Sequence, residues 1–577
     1  MLIRLMREYL RKYRKWLILV MVFQTIQSIA TLTLPTLNAD IIDNVVNKGP
    51  TSYIWEVGAV MLGVTFIQVV FAIAATYYGA RSAMGFGRDV RRDLFHTVMS
   101  YSAREVGQFG APSLITRITN DVTQVQVFVL MTCTLFVTAP IMIIGGVFFA
   151  VREDGPLSLI LLVAIPILLV SVGSVAARMH PQFSKMQDRI DRVNQVLREQ
   201  ISGMRVVRAF VREPDEAARF GRANADLTET SLTTGRMMAV MFPAVLLTIN
   251  LSSVAAVYFG AFRIDAGEMQ VGALVAFLSY LIQILMAVMM STWVLMMGPR
   301  AAVCAARIED VLQTSTSVVP PVEGITELPD AASLELRHAE FAFPGAEQPV
   351  LRDISFRVDA GQTLAIIGST GSGKTALLNV IARLFDVTQG EVLIGGVNVR
   401  DLDKQLLERL IGFVPQKPFL FSGTIGSNVR FGNQAASDAE VWEALEVAQA
   451  RNFVEAKPDQ LESSVTQGGT NVSGGQRQRL AIARALAHKP AIYMFDDSFS
   501  ALDLATDARL RSALGPVTTD AVTIIVAQRV STIVRADQIL VLEEGRIVGL
   551  GTHHDLLESC PTYQEIVESQ FVAEEVA

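Results

Sequence analysis

Long apolar runs dominate the first half of the chain, near residues 16–42, 54–79, 123–150, 157–177, 237–262 and 271–297. A hydrocarbon layer about 30 Å thick takes about 20 residues of helix to cross, so the pattern predicts six membrane-spanning helices. Gln24, Gln27, Pro35, Asn38, Gln68, Pro140 and Asn250 interrupt the runs. Polar groups are costly against lipid, and these are expected to face other helices or a water-filled cavity. Between the runs, polar stretches keep a helical rhythm, as in Met186-Gln-Asp-Arg-Ile-Asp-Arg-Val-Asn-Gln-Val-Leu. The helices are therefore expected to continue well beyond the membrane.

Basic residues are unevenly shared among the connections. Arg4, Arg7, Arg11, Lys12, Arg14 and Lys15 precede the first run, and Arg81, Arg88, Arg91, Arg92, Arg104 and Arg117 lie in 80–122. The connection 178–236 is richer still, whereas those near 43–53, 151–156 and 263–270 are short and hold roughly one basic residue each. The positive-inside rule then puts both chain ends in the cytoplasm. The first fifteen residues are amphipathic and basic and read as an interfacial helix. The apolar run after them is too long for a cleaved signal peptide.

After Gln313 the pattern breaks into Thr314-Ser-Thr-Ser-Val-Val-Pro-Pro-Val-Glu-Gly, a linker by its Pro and Gly content. Beyond Ser333, short β-like runs (Leu364-Ala-Ile-Ile, Ala491-Ile-Tyr-Met-Phe, Val522-Thr-Ile-Ile-Val, Gln538-Ile-Leu-Val-Leu) alternate with helical stretches. That alternation predicts an α/β domain on a largely parallel sheet. The expected division is a helical membrane domain over 1–312, a linker over 313–332 and an α/β P-loop domain over 333–577.

Composition agrees with a bilayer as solvent: 51% of residues are hydrophobic and 18% charged, with a mean hydropathy of +0.39. The formal net charge of −7, without a basic stripe, speaks against a nucleic-acid partner. Cys133, Cys304 and Cys560 are far apart and indicate neither a metal site nor a disulfide framework.

The chemistry lies in the second half. Gly368-Ser369-Thr370-Gly371-Ser372-Gly373-Lys374-Thr375 follows an apolar run and precedes a helical one, the strand, loop and helix context of a P-loop. Its backbone N–H groups can wrap phosphates, Lys374 can reach the β/γ oxygens, and Thr375 can hold Mg²⁺. Downstream, Ala491-Ile-Tyr-Met-Phe-Asp496 is an apolar strand ending in a carboxylate suited to the same metal.

The segment Asn471-Val-Ser-Gly-Gly-Gln-Arg-Gln-Arg-Leu-Ala-Ile-Ala-Arg-Ala-Leu resembles the ABC transporter family. Ser473, Gly474, Gly475 and Gln476 look like its signature motif, which meets the γ-phosphate held by another subunit. The resemblance extends to Gln416 as the Q-loop glutamine and a further Mg²⁺ contact, Ser500-Ala-Leu-Asp503 as the D-loop, and Phe343 as the aromatic that stacks on adenine, commonly Tyr in the family. Phe109-Gly-Ala-Pro-Ser-Leu-Ile-Thr-Arg and Val207-Arg-Ala-Phe-Val-Arg-Glu look like its two coupling segments. The whole chain is similar to an exporter-type half-transporter, which implies ATP and Mg²⁺ as ligands, a plasma-membrane multi-pass location and a second half-transporter as partner.

Two positions depart from that family. Asp497 stands where Glu usually polarises the hydrolytic water, and Gln528 where a His usually contacts the γ-phosphate. Asp is one methylene shorter, roughly 1.5 Å, and misplacement on that scale can cost about 10²-fold in rate. Gln hydrogen-bonds but neither titrates near neutral pH nor offers a positive charge. Together the two resemble the degenerate half of a heterodimer, which binds ATP and leaves most hydrolysis to the partner's site. A slow homodimer, a nucleotide-gated regulator and an exporter-shaped importer are the alternatives. The expected substrate is hydrophobic or amphipathic.

Overall fold

The computed structural model describes residues 1–46, 52–329 and 332–576, which fall into two compact units. The first unit comprises Met1–Met99 and Ala111–Thr314. Among the described residues, six helices are long and apolar enough to span a membrane: Leu2–Asn44, Ser52–Ser100, Ala111–Glu153, Leu159–Ser202, Glu213–Asp265 and Val271–Gln313. Their polar halves extend the spans well past the apolar runs, as the helical rhythm predicts.

The sixth helix is the spine of this unit. Ala276, Phe277, Tyr280, Leu281, Ile284 and Leu285 on it are completely buried. Gly146 of the third helix lets that spine approach, since a Cβ there would lie 2.6 Å from Ile284 Cγ1. The Tyr280 hydroxyl donates to the Leu32 carbonyl at 2.7 Å and lies 2.6 Å from Thr36 Oγ1, so a phenol buried among helices keeps its polar end paired. Gln24 does the same for the first and third helices. The third helix widens into a π-helical turn over Thr132–Phe136, and Gln24 Nε2 donates to the carbonyls of Cys133 and Thr134 at 2.8 and 3.1 Å.

The N-terminal stretch packs part of its apolar side on the chain's own helices. Leu2–Leu10 leads through Arg11–Tyr13 into the first span, with Leu5 and Tyr13 buried. The Tyr13 hydroxyl and Lys12 Nζ donate to Asp89 Oδ2 on the second helix, at 2.7 and 3.2 Å, and Arg4 pairs with Glu309 on the sixth at 3.3 Å. An amphipathic helix needs an apolar neighbour, and the chain's own helices cover Leu5 while Met1 and Ile3 stay exposed. The connections at 151–156 and 263–270 are joined by Arg263, whose Nε donates to Asp154 Oδ2 at 2.9 Å. Residues 47–51 of the connection near 43–53 and residues 330–331 of the linker lie outside the described residues.

The second unit comprises Ser100–Gly110 and Ser315–Ala577. Within it, Ser102 and Glu105 form a reciprocal cap on the helix Ala103–Phe109, and Ser102 Oγ lies 2.9 Å from Ser317 Oγ. The main sheet has six strands in the order Arg546–Gly551, Gln538–Glu543, Thr363–Ile367, Val522–Val526, Ile492–Asp496, Ile411–Val414, parallel except at the first pair. Every residue of Ile492–Asp496 and Val522–Val526 is buried, as expected of parallel strands covered on both faces. A second, antiparallel sheet orders Leu351–Val358, Leu334–Phe341, Gln389–Ile394 and Val397–Asn398.

Gly390 opens one strand of that second sheet at φ +75°, and a Cβ there would lie 2.1 Å from the His338 carbonyl oxygen. Gly390→Ala is expected to destabilise this unit by more than about 2 kcal/mol, through backbone strain and steric clash together. Thermal unfolding of the detergent-solubilised chain, followed by intrinsic fluorescence, checks it.

Candidate nucleotide site

In an open parallel sheet, ligands bind beyond the carboxyl ends of the strands. The strands Thr363–Ile367 and Ile492–Asp496 end at one cavity of about 610 Å³. The loop after the first strand turns on Gly371 and Gly373, at φ +86° and +105°, and delivers Lys374 and Thr375 to the start of the helix Lys374–Ile381. Gly368 is required by close approach, because a Cβ there would lie 2.1 Å from the Leu542 carbonyl oxygen. Gly368, Ser369, Thr370, Gly371, Gly373, Lys374 and Thr375 line the cavity together with Gln416, Asp496, Asp497 and Gln528. Ser372 is buried behind the loop, with its Oγ 3.5 Å from Lys374 Nζ.

Lys374 folds back on the loop and donates to the carbonyls of Gly368 and Ser369 at 2.8 and 2.7 Å. Burial pulls its ammonium pKa down, while Asp496 and Asp497 oppose that shift. Thr375 Oγ1 donates to Asp496 Oδ2 at 3.1 Å. Burial pushes the Asp496 carboxyl up; the Thr375 hydrogen bond works against this, Asp497 adds to it and Lys374 opposes it. A cation delivered with phosphates would restore charge balance here.

Among the described residues, no cluster of three or more His, Cys, Asp or Glu could hold a metal by itself. Mg²⁺ is commonly held by one or two carboxylates plus substrate phosphates and water. The donor set of Thr375 Oγ1, Asp496 and the Gln416 amide oxygen fits an ion that arrives with a nucleotide.

Asp497 follows the strand at φ +47°, a left-handed conformation that Asp tolerates better than most residues, and its N–H donates to the Val526 carbonyl at 3.0 Å. This turn separates adjacent carboxylates, Asp496 toward Thr375 and Asp497 toward two amides. Gln528 Nε2 donates to Asp497 Oδ2 at 2.7 Å, and Gln416 Nε2 donates to the same oxygen at 3.2 Å.

Two groups of predicted residues lie away from this cavity. Ser473 caps the helix Gly474–His488, its Oγ accepting from Gln476 N–H at 3.3 Å and its own N–H donating to Gln476 Oε1 at 3.0 Å. Gly474 and Gly475 open that helix. Phe343 is 44% exposed and packs edge-on against Phe341 and Phe385, at centroid distances of 4.9 and 5.7 Å. Its ring stands at the surface, open to a partner.

The C-terminal helix Pro561–Val576 brings residues that no motif announces. Thr562, Glu565, Ile566 and Gln570 line the same cavity. Gln570 clamps the backbone around Gln528, donating from Nε2 to the Gln528 carbonyl at 2.8 Å and accepting from Val530 N–H at 2.8 Å. Gln570 stands 42 positions beyond Gln528 with no spacing signature, so only the fold reveals the link.

Comparison with known proteins matches residues 17–288 to the family described as ABC transporter transmembrane region, and residues 351–500 to the family described as ABC transporter. An ABC transporter ATP-binding protein of Mycobacterium tuberculosis is 49% identical over 579 aligned residues, covering 99% of this chain and 98% of the relative. An ATP-dependent lipid A-core flippase of Syntrophus aciditrophicus is 31% identical over 88% of this chain and 83% of its own length. Among solved structures, a bacterial Atm1-family ABC exporter with ATP bound shares the fold at a TM-score of 0.79 and 24% identity, over 97% of this chain and 98% of that one.

Gln570→Ala removes both bonds of the clamp. Each is worth about 1 kcal/mol, so hydrogen exchange of the backbone around Gln528–Val530 is expected to quicken about thirtyfold. Exchange followed by mass spectrometry on peptides covering that segment, against an unchanged strand Val522–Val526, checks it.

Proposed function

Because the chain belongs to the ABC transporter family, as a membrane region followed by its ATPase domain, we propose that it is the degenerate-site half of a heterodimeric exporter. It is a multi-pass membrane protein, and its ATPase domain couples ATP hydrolysis to transport. One observation carries the finer reading: Asp497 Oδ2 accepts hydrogen bonds from both Gln528 and Gln416, at 2.7 and 3.2 Å. Two side-chain amides hold the carboxylate by one oxygen, so the direction of its other oxygen is set by that pair rather than by a water, and geometry is the first requirement of a general base. Asp497 is also a methylene short of the Glu that the family uses there.

On this reading the site retains ATP. The loop N–H groups and Lys374 bind phosphate oxygens, and Phe343 offers a face to the adenine. Thr375, Asp496 and Gln416 would hold Mg²⁺, which supplies positive charge against the phosphates when bound. Gln528 can donate a hydrogen bond but brings no positive charge. The intact capped start of Gly474–His488, with Ser473, Gly474, Gly475 and Gln476, completes the partner's competent site, and the catalytic Glu and His come from that partner.

The first coupling segment begins in the nucleotide-binding unit at Phe109 and Gly110 and continues from Ala111 in the membrane unit, and that continuity supports its coupling role. The second coupling segment includes the helix Met204–Ala209 and leaves Phe210 and Val211 73% and 76% exposed, an apolar tip suited to docking. Basic residues at the chain's start and in 80–122 and 178–236 support cytoplasmic termini in a plasma membrane. The flippase relative supports a hydrophobic or amphipathic substrate. ATP drives the cycle through its greater affinity for the closed pair of nucleotide domains.

The purified chain alone is expected to hydrolyse ATP about 10²-fold more slowly than its complex with the partner. The complex should lose turnover when the partner's catalytic Glu is replaced, and Asp497→Glu with Gln528→His should raise the lone chain's rate at least about tenfold. Brisk turnover by the lone chain, unmoved by the double substitution, would instead make it a self-sufficient homodimer. Steady-state phosphate release decides between them.

A further inference from the structure

The nucleotide-binding unit holds another cavity, of about 250 Å³, away from the phosphate loop. Pro490 and Ala521 border it, and they precede the strands Ile492–Asp496 and Val522–Val526. It therefore lies at the amino ends of the sheet, opposite the carboxyl ends where Lys374 and Asp496 meet. The last turn of the helix Gly474–His488 contributes Leu486, and the helix Asp438–Val447 contributes Glu440 and Glu443.

Tyr493 reaches this cavity from the sheet. It is 2% exposed, and its hydroxyl makes no hydrogen bond among the described residues. Ser463 Oγ and Gln478 Nε2 of the same unit are unpaired and sealed from solvent; the Tyr493 oxygen is not sealed, and the surface it keeps is the cavity wall. Burial pushes the phenol up to about 12, so it stands as a neutral group whose oxygen can accept a hydrogen bond. A buried phenol usually finds a partner, and one left open at a cavity marks a place for a ligand's polar atom.

The surrounding charge selects the sign of that ligand. Glu440, Glu443 and Asp520 share the cavity with one ammonium, Lys489, whose Nζ is committed to Glu440 Oε1 at 2.9 Å. Glu443 and Asp520 have no ion pair among the described residues, and Glu443 acts on Lys489 only at longer range. The carboxyl end of Gly474–His488 adds the negative end of a helix dipole. Among the described residues no group of carboxylates converges closely enough to hold a metal ion, so a cation that satisfies both Glu443 and Asp520 must span them. Ala444, Val447, Leu486 and Val517 supply an apolar wall.

We propose that this cavity binds a short aliphatic diamine, free in solution and in its diammonium form. Its two ammonium groups pair with Glu443 and Asp520, one N–H donates to Tyr493 Oη, and its methylenes lie on the apolar wall. The cavity is smaller than those that take drug-sized ligands, which suits a chain of a few carbons. The site is separate from the phosphate loop and stands whether or not Asp497 supports hydrolysis.

Isothermal titration calorimetry on the full chain in neutral-lipid nanodiscs, without nucleotide, compares 1,4-diaminobutane with butane-1,4-diol and succinate. The diamine should bind at least tenfold more tightly than the diol or the diacid, and less tightly as salt is raised. Tyr493→Phe, Glu443→Gln and Asp520→Asn should each weaken it about tenfold. Glu558→Gln, at an exposed carboxylate on the helix His553–Ser559, should leave it unchanged. Tyr493→Phe removes an unpaired atom, so its melting temperature should hold or rise, which separates a lost ligand contact from a lost fold. Equal binding of the three probes, indifference to Tyr493→Phe or to both carboxylate substitutions, or an equal loss with Glu558→Gln overturns the proposal.

Discussion

Hydrocarbon offers no hydrogen-bond partner, and the first half of this chain is built around that constraint. Every backbone N–H and C=O in the spans must be paired within the chain, so the spans are helices. Polar side chains must then find a neighbour or a cavity. Gln24 finds the carbonyls of Cys133 and Thr134 at the widened turn of the third helix, and Tyr280 finds Leu32 and Thr36. Exceptions remain, for Ser28 Oγ, Gln126 Oε1 and Gln283 Oε1 are buried without a hydrogen-bond partner.

In the aqueous half a comparable constraint acts at one peptide. The strand Ile492–Asp496 is buried throughout, so its side chains are committed to the core until the chain leaves the sheet. It leaves at Asp497, whose left-handed turn is held by the bond from its N–H to the Val526 carbonyl. Two consecutive carboxylates therefore serve different neighbours. Asp496 meets the Thr375 hydroxyl, and Asp497 meets two glutamine amides. The loop Gly368–Gly373 follows Thr363–Ile367, two strands along the sheet, and the phosphate cradle and the carboxylates share one cavity.

What could be read from the sequence follows the range of the interaction. The P-loop, the strand before Asp496 and the six spans are local patterns whose physics acts within a few residues, and the fold contains all of them. Amphipathicity in the N-terminal helix says that an apolar face is covered without saying by what. Leu5 and Tyr13 turn to protein, while Met1 and Ile3 stay exposed. The Gln570 clamp on Gln528 was not legible, because it joins residues 42 positions apart and carries no spacing signature. The identities of Asp497 and Gln528 were legible as departures, but that both amides engage the same carboxylate oxygen required coordinates.

That shared oxygen alters the meaning of the two departures. Taken singly, a shorter acid could still act as a slow base and a glutamine could still contact a phosphate. Taken together, Gln528 donates to the carboxylate, and Gln570 holds the Gln528 backbone from the other side. The replacement at 528 thus reaches the position at 497 through a hydrogen bond from an amide that carries no titratable charge. Coupled residues act as a unit, so restoring either alone should recover less than half of the logarithmic gain from restoring both.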